Sequence, residues 1–187
     1  MKEIRIHGRG GQGMVMASEM VVHAVMIDDL YGNAIPFFGF ERRGSPVVSF
    51  VRIDDHPIRE KTQIYAPDCI VVSDPTLLDS VNVFAGVKEN AIMVLNSTKE
   101  LSDLDLPAQI SRLGLVDATG IALEILGLPV TNTAMVGAFA KVTQWIRLES
   151  ALEGIRRVMP AELAEKNVEA ARRAAQKVRI IDMKRKG

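Results

Sequence analysis

The chain has 187 residues, 23 basic and 23 acidic side chains, and a hydrophobic content of 48%, which suits one globular domain and argues against a disordered chain. Balanced charge leaves no global field to recruit nucleic acid or an anionic membrane. Cys69, the single cysteine, excludes an internal disulfide framework, a four-cysteine zinc site and a cysteine-ligated iron–sulfur cluster within the chain.

EIRIH alternates and is rich in isoleucine, predicting a first strand that ends at the glycines of HGRGGQG. No basic region followed by an apolar run and a cleavage site precedes it, so a cytoplasmic protein is expected. From Gln12 to about Ile27 apolar residues surround the helix axis except at Gln12, Glu19 and His23, which share one face. A helix this apolar is expected to be buried on most sides, against a sheet and under a partner. NAIPFF and VVSFVRI are strand candidates joined by the loop GFERRGSP, and DDHP supplies a closing turn. With no helix between them, they predict an antiparallel or loosely paired unit.

CIVVSD and AIMVLNS are short apolar runs suited to a sheet covered on both faces, with a short helix expected over PTLLDSVNVFAGVKE. RLGLVDATG reads as a further strand leading into a helix over GIALEILG. ILGLPVTNTAMVGAFA is the least charged segment, but Pro129 and Asn132 break it, so it reads as core and not as a membrane span. After Asn132 an apolar stripe of Met135, Phe139, Val142 and Ile146 restarts out of phase at Leu148, Leu152, Ile155 and Val158. The slip predicts two helices with a break over 145–147. The last helix, from about Ala161, carries Ala164, Val168, Ala171, Ala175 and Val178 on one side and a Glu169–Arg173 pair on the other. The basic tail KVRIIDMKRKG reads as a solvated terminus. The economical architecture is one three-layer α/β/α domain over 1–187, with a mixed sheet and a Rossmann-like glycine loop after strand 1.

Gly8, Gly10 and Gly13 satisfy G-x-G-x-x-G between a strand and a helix. Glycine there permits close approach, and the first helical turn offers free N–H groups to an anion. Three readings stay open: a cradle for phosphate, pyrophosphate or carboxylate, a site for NAD or FAD, and a tight turn that only packs. Against a dinucleotide, no acid is clearly placed about 20 residues on at the end of a second strand: Asp28 and Asp29 come early and Glu41 late. Gln12 suggests a polar contact.

FGFERRGSPV sets Glu41, Arg42 and Arg43 beside Phe37, Phe38 and Phe40, as a ligand rim or a protein–protein hot spot would, though taken in isolation the loop reads first as a plain hairpin loop with a local Glu–Arg pair. Asn132 or Thr133 is positioned to cap the following helix. Cys69 sits where a small apolar residue is expected, so it reads as an inert buried thiol. His7, His23 and His56 lack metal-ligand spacing, and no nucleophile has a recognisable base. No catalytic residue or metal site is expected in this chain alone.

HGRGGQG, PFFGFERRGSPVVSFVRIDD, NTAMVGAFAKVT and AEKNVEAA together resemble the gamma subunit of 2-oxoacid:ferredoxin oxidoreductases, in that family's order and spacing over nearly the whole chain. The ERRGSPV loop is the most specific piece. The resemblance implies a complex that converts a 2-oxoacid and coenzyme A to an acyl-CoA and carbon dioxide, passing electrons reversibly to ferredoxin. It implies alpha, beta and delta-type partner subunits, and thiamine diphosphate and [4Fe-4S] clusters held by those partners. It also implies that Gly8, Arg9, Gly10, Gly11, Gln12 and Gly13, with Arg42 and Arg43, face coenzyme A or a partner subunit. An ERRGSPV-type loop favours pyruvate, then 2-oxoisovalerate. The readings that compete are a free-standing NAD- or FAD-binding protein and a purely structural subunit.

Overall fold

The computed structural model describes residues 1–37 and 43–183. Strand β1 (Lys2–Arg9) runs into helix α1 (Met14–Ile27), followed by β2 (Tyr31–Phe37) and β3 (Pro46–Asp54). Next come β4 (Cys69–Val72), a single turn α2 (Leu77–Ser80), β5 (Ala91–Asn96) and β6 (Ile110–Val116). Helices α3 (Ala118–Leu126), α4 (Asn132–Thr143), α5 (Leu148–Val158) and α6 (Ala161–Lys177) follow, and β7 (Arg179–Asp182) closes the sheet.

The strands form one seven-stranded mixed sheet in the order β2-β3-β1-β4-β5-β6-β7. Strands β1, β4, β5 and β6 are mutually parallel. β3 lies antiparallel to β1 and to β2, so the two strands lacking an intervening helix pair as expected. Because α1 carries the chain to one side of β1 and β4 returns it to the other, the β1/β4 boundary is where the strand order switches.

The alternation of side chains across the strands builds two cores. Ile4, Ile6, Val71 and Val94 face a thick layer made of α1, α3, α4, α5 and α6. Ile70, Val72, Met93 and Leu95 face a thin one, where α2, loops and a 3-10 turn at Leu101–Asp103 supply the cover. The helix expected over PTLLDSVNVFAGVKE is confined to Leu77–Ser80. α4 and α6 approach closely enough that a Cβ on Gly137 would strike the Ala171 carbonyl oxygen.

The late break falls where the phase slip put it. Gln144 ends α4 in the left-handed region at φ 57°, and Trp145 turns back to meet Phe139 edge to face at 6.2 Å. Glu169 and Arg173 pair at 3.4 Å. α1 packs on α4 and α5, leaving Glu19 exposed and His23 half-buried, yet Met26 is 57% exposed on the same helix.

The described part of the basic tail departs from its reading as a solvated terminus, and residues 184–187 lie outside the described residues. Arg179–Asp182 pairs antiparallel with β6, Arg112 bonds Asp182 at 2.7 Å, and Arg179 forms a two-pronged bridge to Glu100 at 2.8 and 2.7 Å. A four-residue edge strand with polar ends has too short an alternation to stand out from a charged terminus. Among the described residues, no helix is long and apolar enough to cross a membrane.

Candidate functional site

Ligands of open α/β sheets sit outside the carboxyl ends of the strands where strand order switches. Here that position is the glycine loop after β1 facing the end of β4. A cleft of about 620 Å³ opens there, lined by Gly10, Gly11, Arg43, Ser73, Asn96 and Thr131 among others, within the range of about 300–1,000 Å³ usual for small-molecule sites.

The loop is held by its own polar side chains. Gln12 Oε1 accepts the Arg9 amide at 2.7 Å, and Gln12 Nε2 donates to Asp74 at 3.1 Å. Arg9 donates to Asp74 at 3.1 Å, to the Gly44 carbonyl at 3.1 Å and to Thr76 Oγ1 at 2.7 Å. Burial alone would raise the Asp74 carboxyl, but hydrogen bonds from Thr76 and Gln12 and the Arg9 guanidinium outweigh it and hold it below its ordinary value. Arg9 and Gln12, expected as ligand contacts, are thus anchored to Asp74, across more than sixty positions of sequence.

Backbone bonds join the glycine loop to the arginine loop: Gly10 N–H donates to Ser45 at 2.8 Å, and Gly44 N–H returns to Gly10 at 3.0 Å. The Arg43 side chain lies in contact range over Gly11. Arg43 is exposed and has no polar partner among the described residues. Gly13, at φ 75°, starts α1 directly against Asn132, whose amide a Cβ there would strike. Gly10 and Gln12 spend their N–H groups within the protein. Those of Gly11 and Gly13 find no acceptor among the described residues and remain available to an anion. Gly8 packs beneath Met14. Arg42, with Phe38, Phe40 and Glu41, lies outside the described residues.

Two further helices begin at this edge. α3 is sealed: Asn96 Oδ1 accepts from Ala118 and Thr119 at 3.0 and 3.3 Å, and Asp117 accepts from Gly120 at 2.8 Å. Asn96 Nδ2 ties this to the Ser73 carbonyl at 2.8 Å. α4 is not sealed in that way. Asn132, one of the two residues expected to cap it, is its first residue and bonds only the next amide, at 2.9 Å. Thr133, the other, is turned to Asn167 at 3.0 Å. The residue at the cap position is Thr131, and its side chain caps nothing. Its hydroxyl and that of Ser73 are buried without a hydrogen-bond partner among the described residues, a state that costs about 1–3 kcal/mol per group unless something pairs with it.

The geometry disfavours a dinucleotide. Asp28 sits at the far end of α1, bonded to the Arg147 backbone at 2.7 Å and to the Ser150 hydroxyl. Antiparallel β3 stands between β1 and β2, so the end of β2 is not beside the glycine loop, where the ribose-binding acid of such sites belongs. His7, on β1, is pushed down to about 3 by burial and by Arg5, and is neutral at physiological pH. Cys69 is fully buried and its thiol is shifted upward by burial and by Asp68, as an inert core residue requires. Asp54, Asp55 and His56 converge at the opposite edge, where the Met1 ammonium neutralises Asp54 at 3.0 Å.

Ser73, Asp74, Asn96 and Thr131 were not among the residues singled out from sequence. The first three end or follow apolar strand runs, and a polar residue in that place is the signal that could have found them.

The fold and site define an α/β protein with a glycine-lined cleft at the switch point of a mixed sheet. Residues 3–177 match the pyruvate ferredoxin/flavodoxin oxidoreductase family, and the chain belongs to it. It is 50% identical to the pyruvate/ketoisovalerate oxidoreductases common subunit gamma of Pyrococcus furiosus, over 98% of this chain and 100% of that one. Identity is 55% to the NADH-dependent phenylglyoxylate dehydrogenase subunit gamma of Aromatoleum evansii, over 80% and 79% of the two chains. The crystal structure of a pyruvate oxidoreductase subunit from Thermotoga maritima superposes with a TM-score of 0.81 at 32% identity, covering 97% of this chain and 98% of that one.

Proposed function

We propose that this chain, the gamma subunit of a multisubunit 2-oxoacid:ferredoxin oxidoreductase, receives coenzyme A in the cleft between the glycine loop and α4. The observation that carries the reading is Arg43: an exposed guanidinium without a polar partner among the described residues, laid over Gly11 beside unspent loop amides. Phosphate esters are bound by such a pairing of a fork-shaped cation with backbone N–H groups. The reaction is the reversible conversion of a 2-oxoacid and coenzyme A to an acyl-CoA and carbon dioxide, with ferredoxin taking the electrons.

The names of the relatives support giving this chain the constant substrate. Pyruvate, ketoisovalerate and phenylglyoxylate differ in side chain from a methyl to a phenyl group, while the gamma chains named for them remain about as similar to this one. A pocket that discriminates among those side chains belongs elsewhere in the complex, and pyruvate is the substrate proposed for this one. With a single, buried cysteine this chain offers no ligand set for an iron–sulfur cluster. The clusters and thiamine diphosphate are assigned to alpha, beta and delta-type partners.

Arg43→Ala in the assembled complex is expected to raise the coenzyme A KM by about tenfold or more, the usual effect of losing a charged hydrogen bond. The 2-oxoacid KM stays unchanged. An unchanged coenzyme A KM in an intact complex overturns the reading.

A further inference from the structure

We infer that the outer edge of β2, with the open stripe of α1 above it, joins a second copy of this chain across a twofold axis, so that one sheet runs through both copies in the assembled complex. The contact uses no residue of the cleft described above.

The two edges of the sheet are unlike. β7 has four residues, and its Arg179 and Asp182 are both ion-paired to the body of the protein, a usual protection of an edge against other chains. β2 has seven residues, YGNAIPF, none of them charged, and Tyr31 is 48% exposed. Pro36 pairs with Ser49 but has no N–H to give the ladder, so it and the alternate residues Gly32 and Ala34 turn their backbone groups away from β3. Among the described residues no backbone group meets them there, and the Leu30 N–H is already spent on Val25. Gly32 and Ala34 thus both donate and accept outward. A twofold-related copy uses both when Gly32 of each chain pairs with Ala34 of the other. Asn33 then faces its own mate, Tyr31 faces Ile35 in a favourable aromatic–aliphatic pair, and no like charges meet.

The helix above gives the same axis. Met16, Glu19, His23 and Met26 form one stripe at helical spacing, and each is half-buried or exposed. Gly32 packs against Val22 and Val25, so α1 lies directly over the edge strand. α1 and β2 run in opposite directions, and Asn33 is about 3.3 Å further along β2 than Gly32. At about 1.5 Å per helical residue, that comes level with Val21. A twofold axis there sets Glu19 of each copy against His23 of the other, and Met16 against Met26. A carboxylate meets an imidazole N–H and a thioether meets a thioether. Neither Glu19 nor His23 has a side-chain partner among the described residues. Strand and helix are each complementary to themselves about one line, which selects a second copy over an unrelated chain.

The test is a disulfide across the seam of the assembled complex. Cys69 is fully buried, so a cysteine placed on the surface is the reactive thiol of this chain. Asn33 and its mate would form a non-hydrogen-bonded antiparallel pair with Cα atoms about 4.5 Å apart, within the disulfide range of about 4.4–6.8 Å. Asn33→Cys, oxidised with dithiodipyridine, is expected to run mostly as a linked pair of gamma chains on a non-reducing denaturing gel. Ile180→Cys, on the protected β7 edge, is expected to stay single. Adding Glu19→Arg to Asn33→Cys should slow the linkage about fivefold, and adding His23→Glu to both should restore it, because the facing charges are then exchanged. If Asn33→Cys does not assemble, Tyr31→Cys serves. It lies about 14 Å from its mate across the seam, within reach of a bis-maleimide of that length. Linkage to a different subunit, no linkage, equal linkage from Ile180→Cys, or linkage that Glu19→Arg leaves unchanged overturns the inference.

Discussion

Helices α3 and α4 start at the same edge of the sheet and present opposite chemistry. The first turn of α3 is closed by Asn96 and Asp117, which together accept three of its amides. The first turn of α4 has a cap-position threonine that caps nothing, next to a second orphan hydroxyl on Ser73. A helix start that folding has sealed is structural. One left open beside a glycine loop, and beside an arginine with no polar partner among the described residues, is where we propose that binding energy remains to be gained.

The contrast can be broken at three places. Gly13→Val is expected to act most strongly, because φ 75° suits glycine and the new side chain would meet Asn132. A loss of about 2–4 kcal/mol in unfolding free energy is expected, with coenzyme A kinetics abolished in whatever assembles. Next, Asn96→Ala opens α3 by orphaning two amides, and should cost about 2–3 kcal/mol. Thr131→Val at α4 breaks no bond among the described residues and removes a buried unpaired hydroxyl, so it should leave stability in denaturant unfolding unchanged or raise it, by up to about 1–3 kcal/mol. Equal costs for those two would dissolve the distinction between the helix starts.

The smallest effect concerns the anchor of the glycine loop. Asp74 has a folded pKa below its unfolded value, so its contribution is full above the ordinary carboxylate pKa of about 3.9 and is lost as pH falls through the lower folded value. Asp74→Asn should therefore destabilise the protein at neutral pH, lessen the loss of stability on acidification, and raise the coenzyme A KM modestly by loosening Arg9 and Gln12. Thermal unfolding followed between neutral and acid pH, beside coenzyme A kinetics at neutral pH, reads both effects. An acid limb identical to the parent's would show that the carboxylate does not hold the loop.

Much of the fold was legible in the sequence because its signals are local. Ile4 and Ile6 alternate, the glycines fall between a strand and a helix, and the apolar stripe slips phase at Trp145 where the chain turns back. The last strand was not legible, since RIID is too short to show a period inside a charged tail. Of the site, the glycine loop was visible as a motif, but the division of labour within it was not. That Arg9 and Gln12 serve Asp74, while Arg43 has no polar partner among the described residues, depends on contacts that only the folded sheet creates. Ser73 and Thr131 were hidden for a related reason. A hydroxyl without a partner is a fact about surroundings, and no spacing of residues encodes it.

Hydrogen exchange of the assembled complex, with and without coenzyme A, tests the central claim most directly. Binding in the open cleft should slow exchange over 9–14 and 130–134, while 117–121, already sealed by Asn96 and Asp117, stays unchanged. Protection elsewhere in the complex, with 9–14 and 130–134 unaffected, would contradict it.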